Sequence, residues 1–98
     1  MTKNDMTTEV MILMKTILDG ENELTYIMSK NTSSAIASFK IALYSIKIEM
    51  KNSDGNFSFY ELNNIFANEA KARCFFDKLV SNLATPINLP FVFDDEMS

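Results

Sequence analysis

The chain has 98 residues, of which 47% are hydrophobic and 22% are charged, and these fractions are typical of a globular domain with one modest core. The formal net charge of −4 argues against nucleic acid as a partner, because binding to phosphates depends on clustered Lys and Arg. The sequence has no His, which removes the usual general base and the commonest metal ligand, and its single cysteine, Cys74, rules out an internal disulfide.

No segment of the sequence predicts a membrane span or a secretion signal. The longest uninterrupted hydrophobic run, Val10–Met14, is far shorter than the roughly 20 residues that cross a bilayer. Asp5 and Glu9 flank the start of this run and only Lys3 is basic there, which is unlike a signal peptide. We therefore expect a cytoplasmic protein without a membrane partner, folded as one domain over residues 1–98.

The first predicted element is a helix over residues 7–19. Its hydrophobic residues recur every three or four positions, as on one face of a helix. These residues are Val10, Leu13, Met14, Ile17 and Leu18. Thr7 and Thr8 are suitable caps for its start, and Gly20 provides the left-handed residue that commonly ends a helix.

The segment from Glu23 to Ser29 favours a short strand. Leu24, Tyr26 and Met28 alternate with less hydrophobic residues, although a segment of this length also fits a short helix. Residues 33–43 fit either a strand or a helix, because their hydrophobic residues show helical spacing as well as alternation.

The clearest local prediction is a β-hairpin over residues 44–59. Residues 44–51 alternate strictly between hydrophobic and polar side chains, and Phe57 and Phe59 resume the alternation. The dipeptide Asp54-Gly55 lies between the two runs and is typical of a tight turn that joins two strands.

A helix is predicted after this hairpin. Ser58 and Glu61 have the spacing of a capping box, which indicates that the second strand gives way to a helix soon after Phe59. The main helix is predicted over residues 69–83, where hydrophobic residues keep helical spacing. Thr85-Pro86 ends it, because proline disfavours helix at its own position and at the preceding one, and residues 85–98 are expected to form an extended tail.

Together these elements predict an α+β fold. It consists of an N-terminal helix, an antiparallel sheet of two or three strands centred on the hairpin at 44–59, and a C-terminal helix packed across the sheet. The alternative is an all-α helical domain in which residues 33–51 form one helix. That alternative stays open because the candidate strands contain few Val and Thr residues.

Residues 50–61 resemble the calcium loop of the EF-hand family. The residues at ligand positions of that loop are Asn52, Asp54, Ser58 and Glu61. The resemblance implies a metal- or small-ligand-binding domain, but Met50 stands where the family carries its first aspartate. A hairpin turn followed by a helix cap also accounts for most of the matching residues. We therefore predict no metal and no cofactor, and keep the ligand-binding domain as the alternative function.

No cluster of residues in the sequence resembles a catalytic site, so we expect a protein that is not an enzyme. The leading hypothesis is a small acidic protein-interaction module, such as a regulator, an inhibitor or an immunity-type protein, that binds another protein or forms a homodimer through an exposed sheet edge. The candidate partner-binding residues are Phe91, Val92 and Phe93, because a short hydrophobic run after two prolines either packs back on its own domain or adds a strand to another chain. The second alternative is an acidic mimic of nucleic acid.

Overall fold

The computed structural model describes residues 8–36 and 39–97. These residues form, in chain order, β1 (Thr8–Asp19), β2 (Asn22–Ile36), β3 (Phe39–Lys51), β4 (Phe57–Phe66), α1 (Glu69–Ser81) and α2 (Leu89–Met97). The strands make one antiparallel sheet in the order β1-β2-β3-β4, so each strand pairs with its neighbours in sequence. The chain is therefore a small α+β domain whose two helices both follow the sheet.

Three predictions about the fold are wrong. Residues 8–19 form strand β1, so the predicted N-terminal helix does not exist. The sheet has four strands instead of two or three. The all-α alternative is wrong as well, because residues 39–51 lie in β3 and pair with strands on both sides.

The hydrophobic pattern of β1 imitates a helix because the strand contains a bulge. Its pairing with β2 shifts between Met11 and Leu13, so the alternation of side chains between the two faces changes phase at this point. One face then carries Val10, Leu13 and Ile17, and the other carries Met11, Met14 and Leu18. Spacings of three and four on each face match helical periodicity as well as they match this bulged strand.

The core lies between one face of the sheet and the two helices. Leu24, Tyr26 and Met28 are fully buried there, which confirms the strand predicted over residues 23–29. The predicted hairpin is also confirmed, since β3 and β4 pair from Lys51 opposite Phe57 onward. The helices contribute Ala72, Phe75, Phe76, Leu79 and Leu89 to the same core.

Helix α1 begins at the predicted residue, Glu69, but its cap is not the predicted one. Asn68 precedes the helix, and its Oδ1 accepts a hydrogen bond from the N–H of Lys71 at 3.0 Å. Ser58 and Glu61 lie in β4, so the capping role predicted for them is wrong.

The C-terminal end of α1 is a Schellman motif. The N–H of Ala84 donates to the carbonyl of Leu79 at 3.0 Å, and the N–H of Leu83 donates to the carbonyl of Val80 at 3.2 Å. Leu83 has a φ of 51° and occupies the left-handed position where glycine is usual. The helix therefore stops at Ser81, before the Thr85-Pro86 pair that was expected to end it.

The tail, expected to be extended over residues 85–98, is instead helical from Leu89 to Met97. Thr85 and Asn88 form the turn before it, in which the Thr85 hydroxyl donates to the Asn88 side-chain oxygen at 2.7 Å. Pro90 lies in the first turn of α2, where a backbone N–H would have no partner within the helix, so proline is compatible with this position. Among the described residues, neither α1 nor α2 combines the length and hydrophobicity needed to cross a membrane.

Candidate protein-binding surface

The described helices lie on one face of the sheet and leave the other face uncovered. Helix α1 packs mainly over β2, β3 and β4, so β1 lies at the margin of the helix layer. We call the uncovered side the open face. One of its cross-strand rows consists of Thr16, Thr25, Glu49 and Phe59, taken from β1 to β4.

The most hydrophobic part of the open face runs along β1. Met11, Met14 and Leu18 expose 56%, 58% and 76% of their surface. Within residues 8–36 and 39–97, no strand pairs with the outer side of β1. The N–H and C=O groups that point to this side belong to every second residue of the strand, and they lack a partner in the described sheet. The regular part of this strand is Leu13–Asp19, between the bulge and the turn into β2. We call these residues, with their unpaired outer backbone, the β1 edge.

Across the sheet, the exposed aromatic side chains of the open face contact polar groups of the same sheet. The rings of Phe57 and Phe59 lie 6.1 Å apart. The Lys47 ammonium is 5.7 Å from the centre of the Phe59 ring, which is within cation–π distance, and 3.2 Å from the Glu49 carboxylate. This side of the open face is therefore mixed in character, whereas the β1 side is mainly hydrophobic.

The edge formed by β4 is irregular. Tyr44 pairs with Phe66 and Ile46 with Leu62, so Ser45 alone lies opposite residues 63–65 of β4. Asn64 in this bulge has a φ of 54°, a left-handed conformation that asparagine tolerates better than most residues. The outer ladder of β4 is therefore interrupted after Leu62.

Three polar side chains from β2, β3 and β4 hold this bulge in place. The N–H of Asn64 donates to the Ser45 hydroxyl at 2.8 Å. The Asn31 amide donates to the Asn64 side-chain oxygen at 2.7 Å and to the Ser45 hydroxyl at 3.1 Å. Ser45 is buried although it points to the open face, and its hydroxyl oxygen accepts the bonds from Asn31 and Asn64.

The predicted partner-binding residues lie in α2 and point in different directions. The ring of Phe93 packs against the rings of Phe66 and Phe75, with centroid distances of 6.0 and 5.8 Å. Val92 is half-buried against the core, whereas Phe91 exposes 68% of its surface. The fold therefore does not bring these three side chains together on one surface.

The candidate calcium ligands are spread over a hairpin. The side-chain oxygen of Asn52 accepts hydrogen bonds from the N–H groups of Asp54 and Asn56 at 3.0 and 2.9 Å, so its role is to shape the turn. Ser58 lies opposite Met50, and Glu61 lies further along β4. In the part of the chain that the structure describes, no group of three or more His, Cys, Asp and Glu residues is placed to hold a metal ion.

A cavity of about 640 Å³ lies where the end of β4, helix α1 and the C-terminal end of α2 meet. Phe66, Ala70 and Met97 are among its hydrophobic lining residues, and the exposed thiol of Cys74 also lines it. Two of its polar residues are already used within the fold, since Asn68 caps α1 and Glu96 accepts a hydrogen bond from Lys78 at 2.5 Å. The cavity thus has few polar groups available to orient a small molecule, and the β1 side of the open face is the stronger candidate site.

The sequence reasoning missed the β1 edge because it interpreted β1 as a helix. The run Val10–Met14 carried a usable signal, since its residues are hydrophobic at consecutive positions and would cover both faces of a strand. Comparison with curated proteins and with solved structures finds no match. The model of a family of unknown function, DUF6514, matches residues 8–98, which include all six elements of the fold, and the chain therefore belongs to this family.

Proposed function

We propose that the protein is a non-enzymatic protein-interaction module that binds its partner through the β1 edge and the adjoining hydrophobic side of the open face. The observation that carries the proposal is the exposure of Met11, Met14 and Leu18 beside a strand edge that pairs with no other strand of the described residues. Sheet edges of soluble proteins are usually protected by charges, prolines, bulges or a covering element. Between Leu13 and Asp19 the strand is regular, and Lys15 is its one internal charge.

Such an edge supports recognition by strand addition. A partner strand would supply the missing main-chain hydrogen bonds, while side chains on both faces of β1 would determine which sequence fits. Fully burying a Leu or Met side chain contributes roughly 1.5–3 kcal/mol. Met14 and Leu18 retain more than half of their surface for this purpose, so together they contribute about 2–4 kcal/mol to an interface that covers them.

The proposal is tested by the size of the protein in native extracts. The tagged full chain is expected to elute well above its own mass of 11.1 kDa. The double variant Met14→Lys, Leu18→Lys places two more charges on the edge and is expected to elute as the free chain. Both side chains are exposed, so the fold should tolerate the change, and circular dichroism of the purified variant checks this.

The matched control is Phe91→Lys, which adds a charge at an equally exposed hydrophobic residue of α2. It should elute with the unmodified chain. Elution of the unmodified chain at the mass of one free molecule, or an unchanged elution of the double variant, contradicts the proposal.

A further inference from the structure

We infer that the partner of the β1 edge is a second copy of this chain, and that the two β1 strands pair antiparallel about a two-fold axis at Thr16. The inference rests on the proposed function and names its partner. It follows from the length of the regular stretch, from the side chains on its two faces and from the positions of its charges.

The register follows from the ends of the β1 edge. The bulge between Met11 and Leu13 limits it on one side, and the turn at residues 20–21 limits it on the other. Thr16 is the central residue of Leu13–Asp19. A two-fold axis perpendicular to the sheet at Thr16 is therefore the one arrangement that uses the whole regular stretch in both copies. The residues that then lie opposite each other are Thr16 and Thr16, Met14 and Leu18, Lys15 and Ile17, and Leu13 and Asp19.

The open-face side chains fit this register. Directly opposed residues of an antiparallel pair lie on the same face, so Met14 of each copy meets Leu18 of the other. Leu18 and Met14 are thus in contact across the pair in two symmetry-related places. The Thr16 hydroxyl lies 3.1 Å from the Thr25 hydroxyl of its own sheet, so this side chain is held on the open face.

The charges fit as well. Lys15 lies opposite Ile17 of the second copy, over which its hydrocarbon stem packs, and its two diagonal neighbours there are Asp19 and Lys15. The pair thus contains two Lys15–Asp19 diagonals and one Lys15–Lys15 diagonal. The internal cation of each strand is therefore near the terminal anion of the other. Moving the axis to Lys15 would oppose two lysines directly, and moving it to Ile17 would place Met14 opposite the turn at Gly20. The register at Thr16 avoids directly opposed lysines and keeps every residue of the edge paired.

The oligomeric state of the purified full chain tests the identity of the partner. Light scattering coupled to size exclusion should give twice the mass of one chain, and the double variant Met14→Lys, Leu18→Lys should give a twofold lower mass. Phe91→Lys should remain a dimer. A purified chain that stays monomeric at the highest soluble concentration overturns this inference. If the same chain still elutes as a larger species in the native extract, and the double variant does not, the proposed function stands with a different partner.

Disulfide trapping tests the register. In a Cys74→Ser background, Thr16→Cys should form a covalently linked dimer on oxidation, because residues opposite each other across an antiparallel pair have Cα atoms roughly 4.5–5.5 Å apart, within the range of a disulfide. Met14→Cys alone and Leu18→Cys alone should not link, whereas an equal mixture of the two should. If Thr16→Cys links no faster than Met14→Cys alone, the proposed axis is wrong even where a dimer forms.

Discussion

Removing the hydroxyl of Tyr26 tests how the sheet is joined to the helices. Tyr26 is fully buried in β2, and its hydroxyl donates to the carbonyl of Ala84 at 2.9 Å. Ala84 is the last residue of the Schellman motif that ends α1, so this bond links the centre of the sheet to the connection between the helices. The Tyr26 ring also lies edge-on to the Phe76 ring at 6.5 Å, and phenylalanine would keep that contact.

Tyr26→Phe is expected to lower the free energy of unfolding by about 1–3 kcal/mol, because the substitution leaves the buried Ala84 carbonyl without this donor. The loss should be smaller than the ~3–5 kcal/mol that accompanies removal of a whole buried ring. Urea unfolding followed by circular dichroism measures this loss of stability. If the dependence of the unfolding free energy on urea concentration is unchanged, the substitution has altered stability and not the surface exposed on unfolding. The control is Tyr60→Phe, whose side chain is 42% exposed. A loss no larger than that of the control would refute the reasoning.

The same hydroxyl makes stability depend on pH in the alkaline range. Burial, with a smaller contribution from the negative charge of Asp19, raises the pKa of Tyr26 to about 12 from its ordinary value of 10.0. The folded chain therefore holds this proton more tightly than the unfolded chain does. The resulting stability is fully present below pH 10.0 and is lost as the pH rises towards about 12. The difference in unfolding free energy between the natural chain and Tyr26→Phe should therefore shrink over this range, and a constant difference contradicts the assignment.

Substitutions at Leu83 and Arg73 test the two ends of α1, and Gly55→Ala tests the turn between β3 and β4. Leu83→Gly should be more stable than Leu83→Ala by about 0.5–1 kcal/mol in urea, because both variants remove the same leucine contacts and only glycine adopts a φ of 51° without strain. Gly55→Ala, at a φ of 88°, should lower the free energy of unfolding by a similar amount. A Leu83→Gly variant no more stable than Leu83→Ala contradicts the strain argument. A hydrogen bond from Arg73 holds the pKa of Glu69 below its usual value. In Arg73→Met this pKa should rise towards 4.5, as measured by NMR titration of the carboxyl carbon, and the contribution of Glu69 to stability, present at neutral pH and lost on acidification, should decrease. An unchanged pKa rules out the assigned role of Arg73.

The parts of the fold that the sequence predicts correctly are those in which local pattern and burial agree. Leu24, Tyr26 and Met28 alternate because one side of β2 faces the helices. The hairpin of β3 and β4 is recognisable because strict alternation on β3 coincides with a turn sequence. In β2 and β3 one face of the strand is mostly buried and the other is not, so the period of two is visible in the sequence. In β4 the alternating Phe57 and Phe59 lie on the open face and are exposed.

The errors have equally specific causes. β1 is hydrophobic on both faces and bulged, so its period of two is hidden. Ser58 and Glu61 match a capping box by coincidence, since successive residues of β4 simply alternate between faces. The tail was predicted to be extended because proline usually breaks a helix, but Pro90 fits the first turn of α2. Because consecutive helical residues differ by about 100° in direction, Phe91, Val92 and Phe93 could not share a surface once the tail became a helix.

The bulge at Asn64 has a consequence for assembly. A sheet with two regular edges can add copies on both sides and grow into a filament. In this chain the Asn31, Ser45 and Asn64 side chains fix a break in the outer ladder of β4, so the two edges of the sheet are not equivalent. Pairing through the β1 edge uses that edge in both molecules and leaves only bulged β4 strands at the two ends. If the β1 edges pair as proposed, the network around Ser45 therefore disfavours further growth of the assembly through β4.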